Sequence, residues 1–203
     1  MRATQADDPI CPIIIPAAGQ SKRMGSRDKL LEPVRGMPLI RLQCERALAT
    51  GQRVFVTVPS ETHARATAIA DLPVEVISVP DHKDGLSASL RHGVASLPDV
   101  PRFMIALADL VALETSDLRK MIDLSNTDGD VLIWRGTDNA GKPGHPVIFD
   151  GQLRSAFAHL DGDKGAAPII AAHRQKTKHI KLGPQALLDL DTPEDWENWR
   201  KQH

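Results

Sequence analysis

The sequence has only two cysteines, Cys11 and Cys44, and neither sits in a CxxC pair. That excludes a disulfide scaffold or a zinc ribbon and suits a reducing cytoplasm, where we expect the protein. No apolar run approaches the roughly 20 residues that span a bilayer. The polar opening from Met1 to Pro9 contains no signal-peptide core. An excess of one charge is also missing: 25 Lys and Arg face 26 Asp and Glu, for a net charge of −1. A broad basic field of the kind that nucleic-acid tracks recruit is therefore absent. Neither membrane nor nucleic acid is an expected partner. There is no internal repeat and no low-complexity segment.

What is present is enough apolar material for one full core. The chain has 203 residues and is 41% hydrophobic, which is short for two independent domains. One domain over 1–203 is expected, with 1–9 a flexible lead-in. Short apolar runs alternate with longer amphipathic ones, the pattern of a mostly parallel sheet flanked by crossover helices. The expected strands are 10–15, 53–58, 74–79, 103–108, 131–134, 146–149 and 186–190. Helices are expected over 38–50, 62–70, 86–96, 116–124, 151–159, 166–174 and 193–201. The last begins with Thr192-Pro193-Glu194-Asp195, a capping hydroxyl, a proline at the first helical position and acids in the first turn. Residues 138–144, DNAGKPG, are dense in turn formers and read as a mobile hairpin or lid beside His145.

The first strand runs into PAAGQSKRMG at 16–25, followed by Asp28-Lys29-Leu30-Leu31. Small residues such as Ala17, Ala18 and Gly19 let a loop expose consecutive N–H groups, a nest for polyphosphate oxygens. Arg23 can fork onto phosphate, and Lys29, pinned beside two leucines, can act as a point charge on the α-phosphate. The plain alternative is a surface turn with solvated bases. Position decides against it, because ligands of open α/β sheets bind at the carboxyl ends of the strands. The loop carries neither a Walker A motif nor a GxGxxG pattern, so a different phosphate-binding logic is required. A second signal is Asp109, which ends the apolar run 103–108. It emerges at the same sheet edge, where a hard oxygen could hold Mg²⁺ (or Mn²⁺) against the α-phosphate.

The loop resembles the AAGxSxRMGxxKLL signature of the molybdopterin cytidylyltransferase branch of the MobA-like NTP transferases, and the match in spacing continues through Gly36-Met37-Pro38-Leu39. Three later segments fit the same family in the same order. They are Gly144-His145-Pro146-Val147-Ile148-Phe149, Gly162-Asp163-Lys164-Gly165-Ala166 and Leu188-Asp189-Leu190-Asp191-Thr192-Pro193-Glu194-Asp195. The resemblance covers nearly the whole chain from Ile13 to Trp196. It implies a Rossmann-like NTP-transferase fold and transfer of a nucleoside monophosphate to a phosphorylated acceptor, with pyrophosphate release. By resemblance Asp191 is the second Mg²⁺ ligand, with Asp189 supporting it from the same strand face. The resemblance also implies that Asp81, Gly85 and Ser89 approach the nucleoside and that His145 and Asp163 face the acceptor.

Two departures stand out. Asp109-Leu110-Val111 replaces the family's Asp-Met-Pro, and Ala167 stands where the family commonly has Arg. The implied substrates are CTP and molybdenum-bearing molybdopterin, with transient contacts to molybdoenzymes or their chaperones. Ala18 carries the choice of base, since the guanylyl-transferring branch has Gly there. A methyl group would narrow the pocket, and a purine needs more room. Two other readings stay open. One is the same fold acting on a sugar or polyol phosphate. The other is a non-catalytic escort of the molybdenum cofactor.

Overall fold

A computed structural model of the chain describes residues 11–126 and 129–202; the expected lead-in, 1–9, lies outside them. Seven strands form one sheet: β1 (Ile13–Pro16), β4 (Val54–Val58), β5 (Glu75–Ser78), β6 (Arg102–Ile105), β7 (Ile133–Thr137), β8 (Pro143–Asp150) and β9 (Thr177–Lys181). A two-stranded ribbon of β2 (Pro33–Val34) and β3 (Met37–Pro38) leads into the first long helix. The sheet order is β5-β4-β1-β6-β8-β7-β9. It is parallel except around β8, which runs antiparallel to both neighbours. Order reverses at β1, whose neighbours β4 and β6 lie on opposite sides, creating a crevice at the carboxyl ends where α/β sheets bind ligands.

Both faces of the sheet are buried, which is why its strands read as continuous apolar runs. Ile13 and Ile15 of β1 join the core on one face, with Val56 and Met104. Ile14 joins the other, with Phe55, Phe103 and Phe149. The first face is covered by α1 (Leu39–Leu48), α4 (Thr115–Ser125) and α7 (Pro193–Gln202), through side chains such as Ile40, Met121 and Trp196. The second is covered by α3 (Leu86–Ala95), α5 (Arg154–Phe157) and α6 (Ala167–Ala172), through Leu90, Phe157 and Ile169. Among the described residues no helix is long and apolar enough to cross a membrane.

The expected strand at 186–190 does not form. Pro184–Ala186 is a single 3-10 turn, and the segment touches extended backbone only through an isolated bridge between Leu110 and Asp189. The seventh strand is instead β9, whose TKHIK sequence pairs with β7. Its β-branched Thr177 and Ile180 suit a strand, and its lysines suit a sheet edge, where they discourage pairing with other chains. Helix 62–70 is also shorter than expected, reduced to α2 (Ala64–Thr67). The hairpin at 138–144 is present, with the Asp138 carboxylate accepting from the N–H groups of Ala140 and Lys142 at 2.8 Å each.

Candidate active site

A cleft of about 510 Å³ opens at the carboxyl ends of β1 and β6. One wall is the loop after β1. Ser21 adopts a left-handed backbone at φ 50°, followed by a 3-10 turn over Lys22–Met24. Among the described residues the N–H groups of Gly19, Gln20 and Ser21 find no protein acceptor, so they are free for phosphate oxygens. The loop is shaped by Arg65, a residue that nothing in the sequence singled out. Its Nη1 donates to the carbonyls of Ala17 and Gly19 at 2.5 and 2.7 Å. Its Nη2 reaches the Ser21 hydroxyl at 3.0 Å, and its other contacts, at 2.7 and 2.8 Å, clamp both oxygens of Asp28. Arg65 is 2% exposed. With the carbonyls of Ala17 and Gly19 bound on its side, the loop is held in one form.

The opposite wall brings three expected residues together. Lys29 Nζ donates to Asp109 Oδ2 at 2.6 Å and to Asp191 Oδ1 at 2.7 Å. Arg23 Nη2 lies 2.7 Å from Asp191 Oδ2, with its side chain 70% exposed. Burial pulls the Lys29 ammonium toward neutrality, but Asp109 and Asp191 outweigh it and hold its pKa above the ordinary lysine range. Asp189 lies beside Asp191, and burial followed by that neighbour's charge raises its carboxyl above the usual range.

Asp191 reaches the cleft by two devices. The Leu110–Asp189 bridge ties its segment to the loop after β6. At the start of α7, Asp195 Oδ2 accepts from the N–H of Asp191 at 3.2 Å and of Thr192 at 2.8 Å. The Thr192 hydroxyl in turn accepts from the Asp195 N–H at 3.2 Å, completing a reciprocal cap. The loop after β6 is itself anchored from α1, where Gln43 and Arg46 donate to the carbonyls of Leu110 and Val111 at 2.8 Å each.

The donor set fits a hard divalent cation. Asp109 Oδ1 is buried without a hydrogen-bond partner, and Asp191 faces the same ammonium. Mg²⁺ is typically held by one or two carboxylates, with substrate phosphates and water completing its shell. A pre-formed cage is absent: the described residues contain no cluster of three or more potential metal ligands. Burial pushes the thiols of Cys11 and Cys44 up to about 12, which disfavours their thiolate forms.

The remaining expected residues divide. Gly85 and Ser89 line the cleft, and Gly85, at φ +92°, has no room for a side chain. A Cβ there would lie 2.1 Å from Asp163 Oδ1. Asp163 thus stands at the junction of the two segments. Asp81 does not line the cleft: its carboxylate is engaged by Arg91 at 2.6 Å and His92 at 2.7 Å. Ala18 is buried in a small cluster with Val79 and Ala88 and borders a shallower hollow on the outer side of the loop. His145 lies in a neighbouring pocket, separated from the cleft by Leu86 and Leu107.

Residues 13–177 match the family model of the MobA-like NTP transferase domain. The chain belongs to the MobA-like NTP transferase family. It is a nucleotidyltransferase, and its cleft lies at the carboxyl ends of β1 and β6. Its relatives are diverse. Nicotine blue oxidoreductase of Paenarthrobacter nicotinovorans is 28% identical over 182 residues, 87% of each chain. A probable molybdenum cofactor guanylyltransferase of Natronomonas pharaonis is 27% identical, covering 93% of this chain and 96% of its own. A 2-C-methyl-D-erythritol 4-phosphate cytidylyltransferase of Nocardia farcinica is 36% identical over 95 residues, 45% of this chain and 41% of its own. Among solved structures, Rv0371c of Mycobacterium tuberculosis H37Rv superposes with a TM-score of 0.80 at 26% identity, over 95% of this chain and 98% of that one.

Proposed function

We propose that the protein transfers a cytidylyl group from CTP to molybdenum-bearing molybdopterin, releasing pyrophosphate. The observation that carries this reading is the meeting of Lys29, Asp109 and Asp191 within 2.7 Å contacts opposite a loop with free N–H groups. A terminal phosphate oxygen of the acceptor attacks the α-phosphorus of CTP. The bond from that phosphorus to the bridging oxygen of the β-phosphate breaks in line, and its electrons leave with pyrophosphate. Gly19, Gln20 and Ser21 receive the β- and γ-phosphate oxygens on their N–H groups. Arg23, mostly exposed, closes over them as a fork. Lys29 shifts from the carboxylates to the α-phosphate, where negative charge builds. Mg²⁺, or Mn²⁺ in its place, would be held by Asp109 and Asp191 and would supply further charge neutralisation there. No protein nucleophile is needed, since positioning and charge neutralisation supply the acceleration.

The test is pyrophosphate release in Mg²⁺ with CTP or GTP, each with and without molybdenum-molybdopterin. Release that requires CTP and the cofactor together supports the proposal. Preference for GTP would move the protein to the guanylyl-transferring side of the family. The similarity to an erythritol-phosphate cytidylyltransferase favours one second reading, cytidylyl transfer to a polyol phosphate, and pyrophosphate release with such a phosphate alone would select it. On the first reading the protein acts in the cytoplasm and passes its product to molybdoenzymes or their chaperones.

A further inference from the structure

The neighbouring pocket, about 480 Å³, shares the walls Leu86 and Leu107 with the nucleotide cleft. Its floor is the sheet, with Ile105 on β6 and Val147 and Phe149 on β8; Ile170 of α6 lies among its other apolar walls. Every charged or titratable side chain lining it is basic: Arg135, His145, Lys164, Arg174 and His179. Among the described residues no acidic side chain lines it. Register sets the arrangement, since Arg135 of β7 lies opposite Val147 on one side and His179 of β9 on the other. These residues therefore share one face of the sheet.

Arg135 is the telling member. It is half-buried, and its described hydrogen bond, from Nε to the carbonyl of Gly144 at 3.1 Å, leaves both terminal nitrogens of the fork without a described partner. Lys164, Arg174 and His179 likewise have no carboxylate partner among the described residues. A half-buried charge is costly unless an anion pairs with it. In the nucleotide cleft the protein supplies that partner itself. Here it does not.

We propose that this pocket binds an organic acceptor with an apolar, flat body that is anionic at both ends: a reacting phosphate beside Asp109, and a second negative group held by Arg135 and Arg174. The proposal rests on the transferase reading only in making this ligand the acceptor. Strand order gives the span. Arg135 lies on β7, two strands from β6, and is level with Ile105 through Val147, so at about 4.8 Å per strand it stands roughly 10 Å across the sheet from the strand that leads to Asp109. A small sugar or polyol phosphate has only one of the two anionic groups and no flat body for Phe149.

Calorimetry with 2-naphthyl phosphate, 2-naphthol and inorganic phosphate tests the site independently of turnover. The naphthyl phosphate should bind at least about tenfold more tightly than either fragment, because charge and apolar body are recognised together. Arg135→Gln and Arg174→Gln should each weaken it by about tenfold or more, while leaving CTP binding unchanged. Arg174 is exposed, so its variant reports on the pocket even if Arg135→Gln fails to fold. Equal binding of 2-naphthol, equal binding of inorganic phosphate, or indifference to both substitutions would overturn the proposal. A probe bound through the two arginines by a protein that releases no pyrophosphate from CTP with molybdenum-molybdopterin would leave the pocket standing and remove the transferase assignment. Pyrophosphate release with that cofactor, unaffected by either substitution, would do the reverse.

Discussion

The two pockets lie side by side on one sheet but are charged in opposite styles. In the nucleotide cleft, cations and carboxylates are already paired with one another: Lys29 with Asp109 and Asp191, Arg23 with Asp191, Arg65 with Asp28. In the neighbouring pocket the cations stand on an apolar floor with no acid among them. The first is pre-organised by its own ion pairs, and a ligand must exchange partners with them. The second has its charges waiting for one. Internal pairing holds geometry at little electrostatic cost, whereas unpaired charge trades stability for affinity.

The contrast can be broken most severely at Asp109. Asp109→Asn keeps the shape but removes the charge held against the metal and Lys29. It should fold and lose at least ~10² in turnover; near-normal rates of pyrophosphate release in Mg²⁺ would take Asp109 out of the metal site. Arg65→Ala comes next. It strips the loop of its internal frame and leaves Asp28 unpaired, at a cost of about 2–3 kcal/mol in stability. The Michaelis constant for CTP should rise more than kcat falls, and Arg65→Lys should restore stability better than nucleotide affinity, because only a fork reaches all five acceptors. Unchanged kinetics in a folded Arg65→Ala protein would confine this residue to structural support.

Lys29→Ala should weaken nucleotide use by ~10–10² without a comparable loss of melting temperature. Asp109 then loses its cation and Asp191 keeps only the exposed Arg23, so added Mg²⁺ should raise the variant's melting temperature more than the wild type's. Equal responses would mean that the carboxylates do not share a metal.

The second pocket offers a pH test. Burial, then the charge of Arg135, holds His145 down at about 4 from an ordinary 6.5. The unfolded chain therefore takes up this proton first as pH falls. The contribution to stability is full above pH ~6.5 and is lost progressively toward pH ~4. His145→Gln should flatten that acid limb in melting experiments, and an identical profile would place the acid sensitivity elsewhere.

The smallest effect is expected at Ala18. Its methyl group packs with Val79 and Ala88 rather than lining the main cleft. Ala18→Gly should therefore alter the CTP-to-GTP ratio only modestly, through a looser loop, and a complete switch would restore a direct role for the methyl group.

These positions also show what a one-dimensional reading can reach. The meeting of the loop after β1 with Asp109 is legible because each follows an apolar strand, and Lys29 is reached through the motif that continues the loop. Asp191 stands out in the sequence through its segment, but strand alternation does not bring it to the cleft: a helix cap and one bridge do. Arg65 was invisible because its partners lie 37 to 48 residues away and its own segment reads as an ordinary amphipathic turn. The neighbours of Asp81 in sequence point it toward the nucleotide, yet Arg91 and His92, in the second turn of α3, claim it. β9 was hidden by its lysines, which mark an edge rather than an interior.

The Leu110–Asp189 bridge and the Thr192–Asp195 cap have a consequence for how the charge cluster can be loosened. Lys29 and Asp191 are 162 residues apart in sequence, and Asp191 is brought to the ammonium by the bridge and the cap, not by a strand of the sheet. The segment therefore works as a clasp. Opening it would leave Lys29 with Asp109 alone while the sheet and the loop after β1 keep their own contacts.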